Sequence, residues 1–380
     1  MKKKKILIFI DWFLPGYKAG GPIRSVANMI EHLGKDYEFF IITGNSDYNE
    51  TEPYIDIESD KWLDFNSNTK IIYLSEKKRT KQSLKQIVES INFDTAYING
   101  IYSYVFSILP LLIIKGSGKK TVICARGMLS DQAFSRKSLK KQVFLKAARL
   151  FKLYKNVIFH ATNDSEANDI RKKLGNKIPI VTVANFMRKI TPDNIKSVKK
   201  EAGELKLVSI ARISQEKNTK FALEVLSNLT AGQIEFDLYG SINDEDYWHA
   251  CKDVTENLPK NIVVKHKGTV RSDNVAKTFA QYHFALMPSL GENFGHSLAE
   301  SMAAGTPVIT STATPWRNLE QAGAGWDIDL KDESRFEEII NYCVKMEPEE
   351  YGRLSQSARE YARAEAKTKE KIEQYKKLFE

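Results

Sequence analysis

The sequence predicts an α/β protein made of two doubly wound, Rossmann-like parallel-sheet domains facing a cleft. Three observations carry this. The chain has 380 residues, too many for one ordinary core, so two domains of about 150–200 residues are the economical division. Short apolar runs alternate with longer amphipathic segments, the pattern of parallel strands joined by crossover helices. The alternation breaks once, at a polar lysine-rich stretch, and then restarts.

In the first half, KILIFI (5–10), YEFFIIT (37–43), KIIYL (70–74), TAYI (95–98), KTVICA (120–125) and VIFHA (157–161) read as buried strands, and IVTVANF (180–186) is the last apolar text before the break. Helical periodicity covers 22–33, 80–92, 104–115 and 137–153. The residues 187–203 read as an inter-domain linker. Strand candidates resume at 205–211, 234–240, 261–268, 283–289 and 306–311. The expected division is therefore 1–186, a linker at 187–203, 204–362, and a charged terminal helix at 363–380. That last helix reads either as solvated or as packing back on the first domain.

Composition narrows the class. With 42% hydrophobic and 28% charged residues the chain reads as globular and soluble. A net charge of +9 suits an anionic partner. Cys124, Cys251 and Cys343 are far apart and form no CxxC pair, so a disulfide framework or zinc site is not expected and a reducing cytoplasm fits. The start, MKKKKILIFIDWFLPG, imitates a signal peptide, but Asp11 interrupts the apolar run and a buried first strand is expected. FSILPLLII (106–114) is too short to span a bilayer.

Ligands of doubly wound sheets bind at the carboxyl ends of strands, which directs attention to three loops. The first, DWFLPGYKAGGPIRSV (11–26), brings Lys18 and then Gly20 and Gly21 to a helix start at Pro22. Two glycines there permit close approach of a ligand, and the helix N-terminus offers N–H groups to an anion. A plain tight turn fits the same residues, and the spacing is not GxGxxG. The second loop, SIARISQEKNTKFALEVL, holds Arg212 and Lys217 between a strand and an amphipathic helix. A planar fork and a compact ammonium suit a diphosphate, although each cation alone also reads as a solvated surface charge.

The third loop is SLGENFGHSLAESMAAGTPVIT (289–310). Glu292 precedes a helix start near Gly295 or His296, Glu300 lies about one and a half turns into that helix, and Gly305 stops it. The spacing leaves the first-turn N–H groups between two carboxylates, an anion site flanked by two hydroxyl acceptors. Favourable N-terminal acids on an ordinary helix are the other reading.

Together the loops resemble the retaining glycosyltransferases of family four, which have the two-Rossmann GT-B fold. GENFGHSLAESMAAGTPVI carries the family's E-x7-E signature, ARISQEKN its R-x4-K element, and KAGG its first loop. ARGMLS (125–130), HATNDSEANDI (160–170), TPW (314–316) and GAGW (323–326) are similar to the subgroup that builds bacterial surface polysaccharides.

The resemblance implies that Arg212 and Lys217 hold the nucleotide diphosphate, with Glu292 binding hydroxyls of the transferred sugar. It implies backbone contacts from Asn293, Phe294 and Gly295, a ribose contact from Glu300, and a base lying against Gly268 and Val270. Gly20 and Gly21 would approach the donor from the first domain. It also implies a retaining, metal-independent reaction with no cofactor beyond the nucleotide sugar, UDP- or GDP-linked. The acceptor would be lipid-linked or an oligosaccharide, as in capsule, exopolysaccharide or lipopolysaccharide synthesis. The chain departs from the family where a first-domain histidine is common: INGIYS (98–103) and CARGML (124–129) offer Asn99 and Arg126 instead. Rival readings are a sugar-nucleotide epimerase of the same fold and a non-catalytic glycan- or nucleotide-binding subunit.

Residues 136–155 hold eight basic residues and no acid. Leu139, Val143, Ala147, Leu150, Phe151 and Tyr154 recur at helical spacing, which fits either a core helix with a solvated basic face or a helix resting on anionic lipid. The expected location is cytoplasmic and peripheral on the inner face of the plasma membrane. Nucleic acid is not expected, since no binding motif accompanies the charge. His160 is expected to close a buried strand, and His296 either contacts ligand or simply starts its helix.

Overall fold

Long β-branched and aromatic runs drive two separate sheets, each with its own core, in a computed structural model that describes residues 3–131, 138–189 and 197–380. One compact unit comprises Met1–Phe186 with Thr368–Glu380, the other Met187–Lys367.

The first unit has an eight-stranded sheet in the order β3-β4-β2-β1-β5-β6-β7-β8. Its strands are β1 (Lys4–Phe9), β2 (Tyr37–Gly44), β3 (Trp62–Asn66), β4 (Thr69–Leu74), β5 (Thr95–Asn99), β6 (Lys120–Cys124), β7 (Ile158–Ala161) and β8 (Ile180–Thr182). All neighbouring pairs are parallel except β3–β4. Ile6, Ile8, Leu7 and Phe9 are fully buried because both faces of β1 are covered. On one face lie α2 (Lys81–Glu89), α3 (Leu109–Ile114), α4 (Ser138–Leu150) and α5 (Asp164–Leu174). On the other lie α1 (Gly21–Leu33) and the chain's last helix, Lys369–Phe379.

That last helix belongs to the first core. Tyr375, Leu378 and Phe379 are buried in it, Tyr375 stacks on Phe186 at 4.8 Å, and Thr95 Oγ1 donates to the Phe379 carbonyl at 3.1 Å. Of IVTVANF only the first three residues form a strand, β8, because the chain then turns Phe186 inward against Tyr375 and His32. The antiparallel β3 was not expected; WLDFN is half-buried to exposed at the sheet edge and carries no buried-strand pattern.

The second unit has a six-stranded parallel sheet, β11-β10-β9-β12-β13-β14. Its strands are β9 (Glu204–Ile210), β10 (Gln233–Tyr239), β11 (Ile262–His266), β12 (Phe284–Met287), β13 (Val308–Ser311) and β14 (Gly325–Ile328). Its helices are α6 (Thr219–Ser227), α7 (Glu245–Glu256), α8 (Val275–Phe279), α9 (His296–Ala304), α10 (Glu333–Lys345) and α11 (Pro348–Glu365), so Lys369–Phe379 is α12. The four-residue β14 sits inside the GAGW text, too short to stand out as a strand. Residues 190–196 of the expected linker lie outside the described residues. Near its end Lys200 is 1% exposed, and its ammonium donates to the carbonyls of Glu201 and Val344 at 2.7 and 3.2 Å. One of these carbonyls closes α10, so a cation that read as linker instead satisfies a helix C-terminus.

Candidate active site

Strand order locates the crevice of the second domain. From β9 the chain moves outward through β10 and β11, then returns to the other side of β9 with β12, β13 and β14. The order reverses between β9 and β12, the switch point where ligands of open α/β sheets bind. The loops leaving these two strands carry Arg212 and Lys217 on one side and Glu292 with α9 on the other.

These loops are tied together. Lys217 lies at the end of the 3-10 turn Gln215–Lys217, and its ammonium meets Glu292 Oε1 at 2.5 Å, both side chains being mostly buried. Leu290 N donates to the Glu216 carbonyl at 2.9 Å, and Ser297 Oγ in the first turn of α9 donates to the Ile210 carbonyl at 2.7 Å. Arg212 lies 3.6 Å from Glu216 and is about a third exposed. An ammonium has three donors, so pairing with Glu292 leaves Lys217 two for an anionic group.

The backbone turns that aim these groups need particular residues. Gly240 follows β10 where a Cβ would lie 1.8 Å from the Ala211 carbonyl oxygen, so only glycine lets the two loops run together. Gly295 caps α9 at φ 75°, with Trp316 Nε1 3.0 Å from where its Cβ would be. Trp316 Nε1 donates to the Phe294 carbonyl at 2.6 Å, pinning the turn from the loop after β13. Ser289 Oγ donates to Glu292 Oε1 at 3.1 Å, and Ser311 Oγ donates to the Ser289 carbonyl. Trp316, Ser289 and Ser297 were missed as site residues; the TPW text was the available signal for the first.

Glu300 is half-buried at the fifth position of α9, beyond the first-turn N–H groups of 296–298. Val270 and Phe294 both pack on the core cluster that contains Leu298, Met302 and Trp316, and Gly268 accepts from Gly240 N at 2.7 Å. Asn293 follows Glu292 in the same half-buried turn, and the His296 ring lies 4.7 Å from that of Phe294. Among the described residues no group of three or more His, Cys, Asp or Glu is placed to hold a metal ion.

The remaining expected residues belong to the first domain. Gly20 caps α1 at φ 72°, Gly21 is its first residue, and nothing lies within 4 Å of a Cβ at Gly20, so conformation rather than crowding requires glycine. Lys18 is ion-paired to Glu50. Asn99 and Arg126 come together: Arg126 donates to Asn99 Oδ1 and Asn185 Oδ1, both at 2.7 Å, and to the Tyr97 hydroxyl at 3.1 Å. His160 is fully buried between that hydroxyl and the Val183 carbonyl, and burial pushes its pKa down to about 3.

The apolar stripe expected over 136–155 is two faces. Residues 136 and 137 lie outside the described ones; in α4 and just after it, Leu145, Ala148 and Tyr154 are buried. Leu139, Val143, Leu150 and Phe151 are instead 65–76% exposed. At about 100° per residue, Leu139, Val143, Lys146 and Leu150 fall within about 60° of each other, roughly opposite Ala148. No described helix is long and apolar enough to cross a membrane.

Residues 191–363 match the family described as glycosyl transferases group 1. A curated relative, alpha-monoglucosyldiacylglycerol synthase of Streptococcus pneumoniae, is 28% identical over 134 residues, covering 34% of this chain but only 30% of that protein. The fold is shared along whole chains. Sucrose-phosphate synthase from Thermosynechococcus elongatus aligns with a TM-score of 0.73 at 14% identity, covering 100% and 98% of the two chains. HepE of Anabaena, solved with UDP and glucose, aligns at 0.69 and 14% over 99% of both. WaaG, a glycosyltransferase involved in lipopolysaccharide biosynthesis, aligns at 0.65 and 13% over 98% of both. The chain thus carries a group 1 glycosyltransferase domain at residues 191–363, within the two-domain GT-B fold of the family-four enzymes.

Proposed function

We propose that the protein is a retaining glycosyltransferase that moves a sugar from a nucleoside-diphosphate sugar, UDP- or GDP-linked, to a lipid-linked or oligosaccharide acceptor of a bacterial surface polysaccharide. The observation that carries it is the convergence of Arg212, Lys217, Glu292 and the start of α9 on one switch point. In this reading Arg212 and Lys217 neutralise the diphosphate as the bond from the anomeric carbon to its phosphate oxygen breaks. The first-turn N–H groups of α9 add a fixed positive end to the same place. Glu292, steadied by Ser289 and Lys217, accepts from hydroxyls of the transferred sugar, and Glu300 accepts from the ribose. Backbone groups of Asn293, Phe294 and Gly295 line the donor, and Val270 borders the base. The acceptor oxygen bonds to the anomeric carbon on the face the diphosphate leaves, and its proton passes to the leaving phosphate oxygen. No metal is called on, because the two cations and the helix supply the charge.

The UDP and glucose in HepE support a nucleotide sugar, and the lipid product named for the Streptococcus relative supports a membrane-borne acceptor. The outward stripe of α4, which includes Lys146 and is flanked by Lys140 and Arg149, supports peripheral attachment to an anionic bilayer.

A thermal-shift screen with UDP-, GDP- and ADP-sugars tests the donor assignment. One nucleotide class is expected to raise Tm, and Arg212→Ala and Lys217→Ala each to weaken its binding. No shift with any of them, or full affinity in both variants, overturns the reading.

A further inference from the structure

The loops after β9 and β10 join each other beyond the ends of their strands. Ile213 N donates to the Ser241 carbonyl at 3.0 Å, and Ile213 and Ile242 form an isolated parallel bridge. Both isoleucines pack in the core that holds α6 and α7. Side chains alternate along an extended chain, and Ser214 is extended at φ −157° and ψ 158°. Arg212 and Ser214 on one segment, and Ser241 and Asn243 on the other, therefore turn to the opposite side. On that side Leu298 and Ala299 of α9 pack with Val208 and Ile210 of β9.

Three polar atoms of this group are buried with no hydrogen-bond partner among the described residues: Ser214 Oγ, Ser241 Oγ and Asn243 Nδ2. Ser214 as a whole is only 5% exposed. Other buried hydroxyls of the domain behave differently. Those of Ser301, Thr306 and Thr310 donate to carbonyls at 2.7, 2.8 and 2.8 Å, and Ser311 Oγ donates to the Ser289 carbonyl. A buried polar group without a bond costs stability, so three on one bridge point to a ligand that completes them. The amide nitrogen can only donate and both hydroxyls can donate, and none of the three side chains is charged. The set suits a group rich in acceptor oxygens.

Position narrows that group. Gly240 N donates to the Gly268 carbonyl at 2.7 Å, and a Cβ at Gly240 would lie 3.1 Å from Arg212 Cα. The segment 240–243 therefore lies between the loop of Arg212 and the loop of Gly268 and Val270, as β10 lies between β9 and β11. In the glycosyl-transfer reading the diphosphate meets Arg212 and Lys217 and the base meets Val270. The α-phosphate and the ribose join those two ends, and the ribose is assigned to Glu300.

We propose that Ser214, Ser241 and Asn243 form a neutral cradle for the α-phosphate of the nucleotide sugar, the phosphate bonded to the nucleoside. The proposal rests on the glycosyl-transfer reading and divides its diphosphate site in two. Negative charge develops on the β-phosphate as its bond to the anomeric carbon breaks, and the Lys217 and Arg212 cations serve that end. The α-phosphate is held throughout, and uncharged donors are enough to fix it in place.

The test is isothermal titration of UMP, UDP, GMP and GDP into the full chain. The proteins are the wild type, Ser214→Ala, a chain carrying both Ser241→Ala and Asn243→Ala, and Lys217→Ala, each with its Tm measured without ligand. For the base that binds, the cradle variants are expected to weaken monophosphate and diphosphate by the same factor. That factor is about tenfold or more, the scale of a lost hydrogen bond to a charged group. Lys217→Ala is expected to weaken the diphosphate more than the monophosphate. Because the cradle atoms are unpaired in the free protein, Tm in the cradle variants is expected to stay level or rise, whereas loss of a structural hydrogen bond would lower it. Unchanged affinity in the cradle variants, a loss confined to the diphosphate, or a loss accompanied by a lower Tm overturns the proposal. So does a wild type that binds the diphosphate but not the monophosphate. A wild type that binds no nucleotide instead overturns the glycosyltransferase reading beneath it.

Discussion

Lys217 and Glu292 are 75 residues apart and share one hydrogen bond, so a substitution at either changes the other's surroundings. Glu292→Ala removes a group assigned to the sugar but leaves the diphosphate cations in place. It is expected to abolish transfer in a product assay while changing nucleotide affinity by less than about threefold; retained transfer contradicts the assignment. His160 carries a different consequence. Its ordinary pKa of 6.5 falls to about 3 on burial, and that of His283 to about 4. Above pH 6.5 these rings are neutral in both folded and unfolded chain. Below it the unfolded chain binds protons the folded chain refuses, so stability falls as pH drops from 6.5 toward 3–4. The limit is about 1.4 kcal/mol per pH unit for each ring. Urea midpoints at pH 7 and pH 5 measure this, and equal midpoints contradict it. Individual residues were the least legible scale: Glu292 stood out by spacing, whereas Ser289, Ser297 and Trp316 matter through loops that only folding brings together.

The helix at the site, α9, shows how much of an element a sequence can carry. Its end was readable from Gly305, which adopts φ 82° beneath the Arg359 guanidinium. Its start was readable only to within a residue, because Gly295 caps it in a left-handed conformation with no side-chain cap. Gly295→Ala places a Cβ against Trp316 in a disfavoured conformation, and is expected to cost about 1–2 kcal/mol with weaker donor binding. An unchanged Tm and donor affinity contradict that account of the turn. For α4 the periodicity was legible and the facing was not, since apolar residues on both sides merge into one stripe until Leu145 and Ala148 are seen in the core. Leu139→Glu with Leu150→Glu is expected to release the protein from phosphatidylglycerol vesicles in a sedimentation assay without lowering Tm. Undiminished sedimentation, or no binding by the wild type, contradicts a lipid-facing role.

At the scale of the molecule, the two sheets were legible because buried parallel strands write continuous apolar runs into the chain. What escaped were the edges: β3 is exposed and antiparallel, and β14 is four residues long. The order of strands was also not written locally, yet strand order is what makes the sites. The reversal between β9 and β12 brings two ordinary-looking loops together, so that Lys217 meets Glu292 beside the start of α9. The central claim is that the β9–β12 switch point holds a nucleoside diphosphate. Isothermal titration of UDP and GDP into the wild type and into a chain carrying both Arg212→Ala and Lys217→Ala tests it most directly. The account predicts saturable binding of one nucleotide by the wild type and a loss of at least about a hundredfold in the double variant. Equal affinity in the two proteins would contradict it.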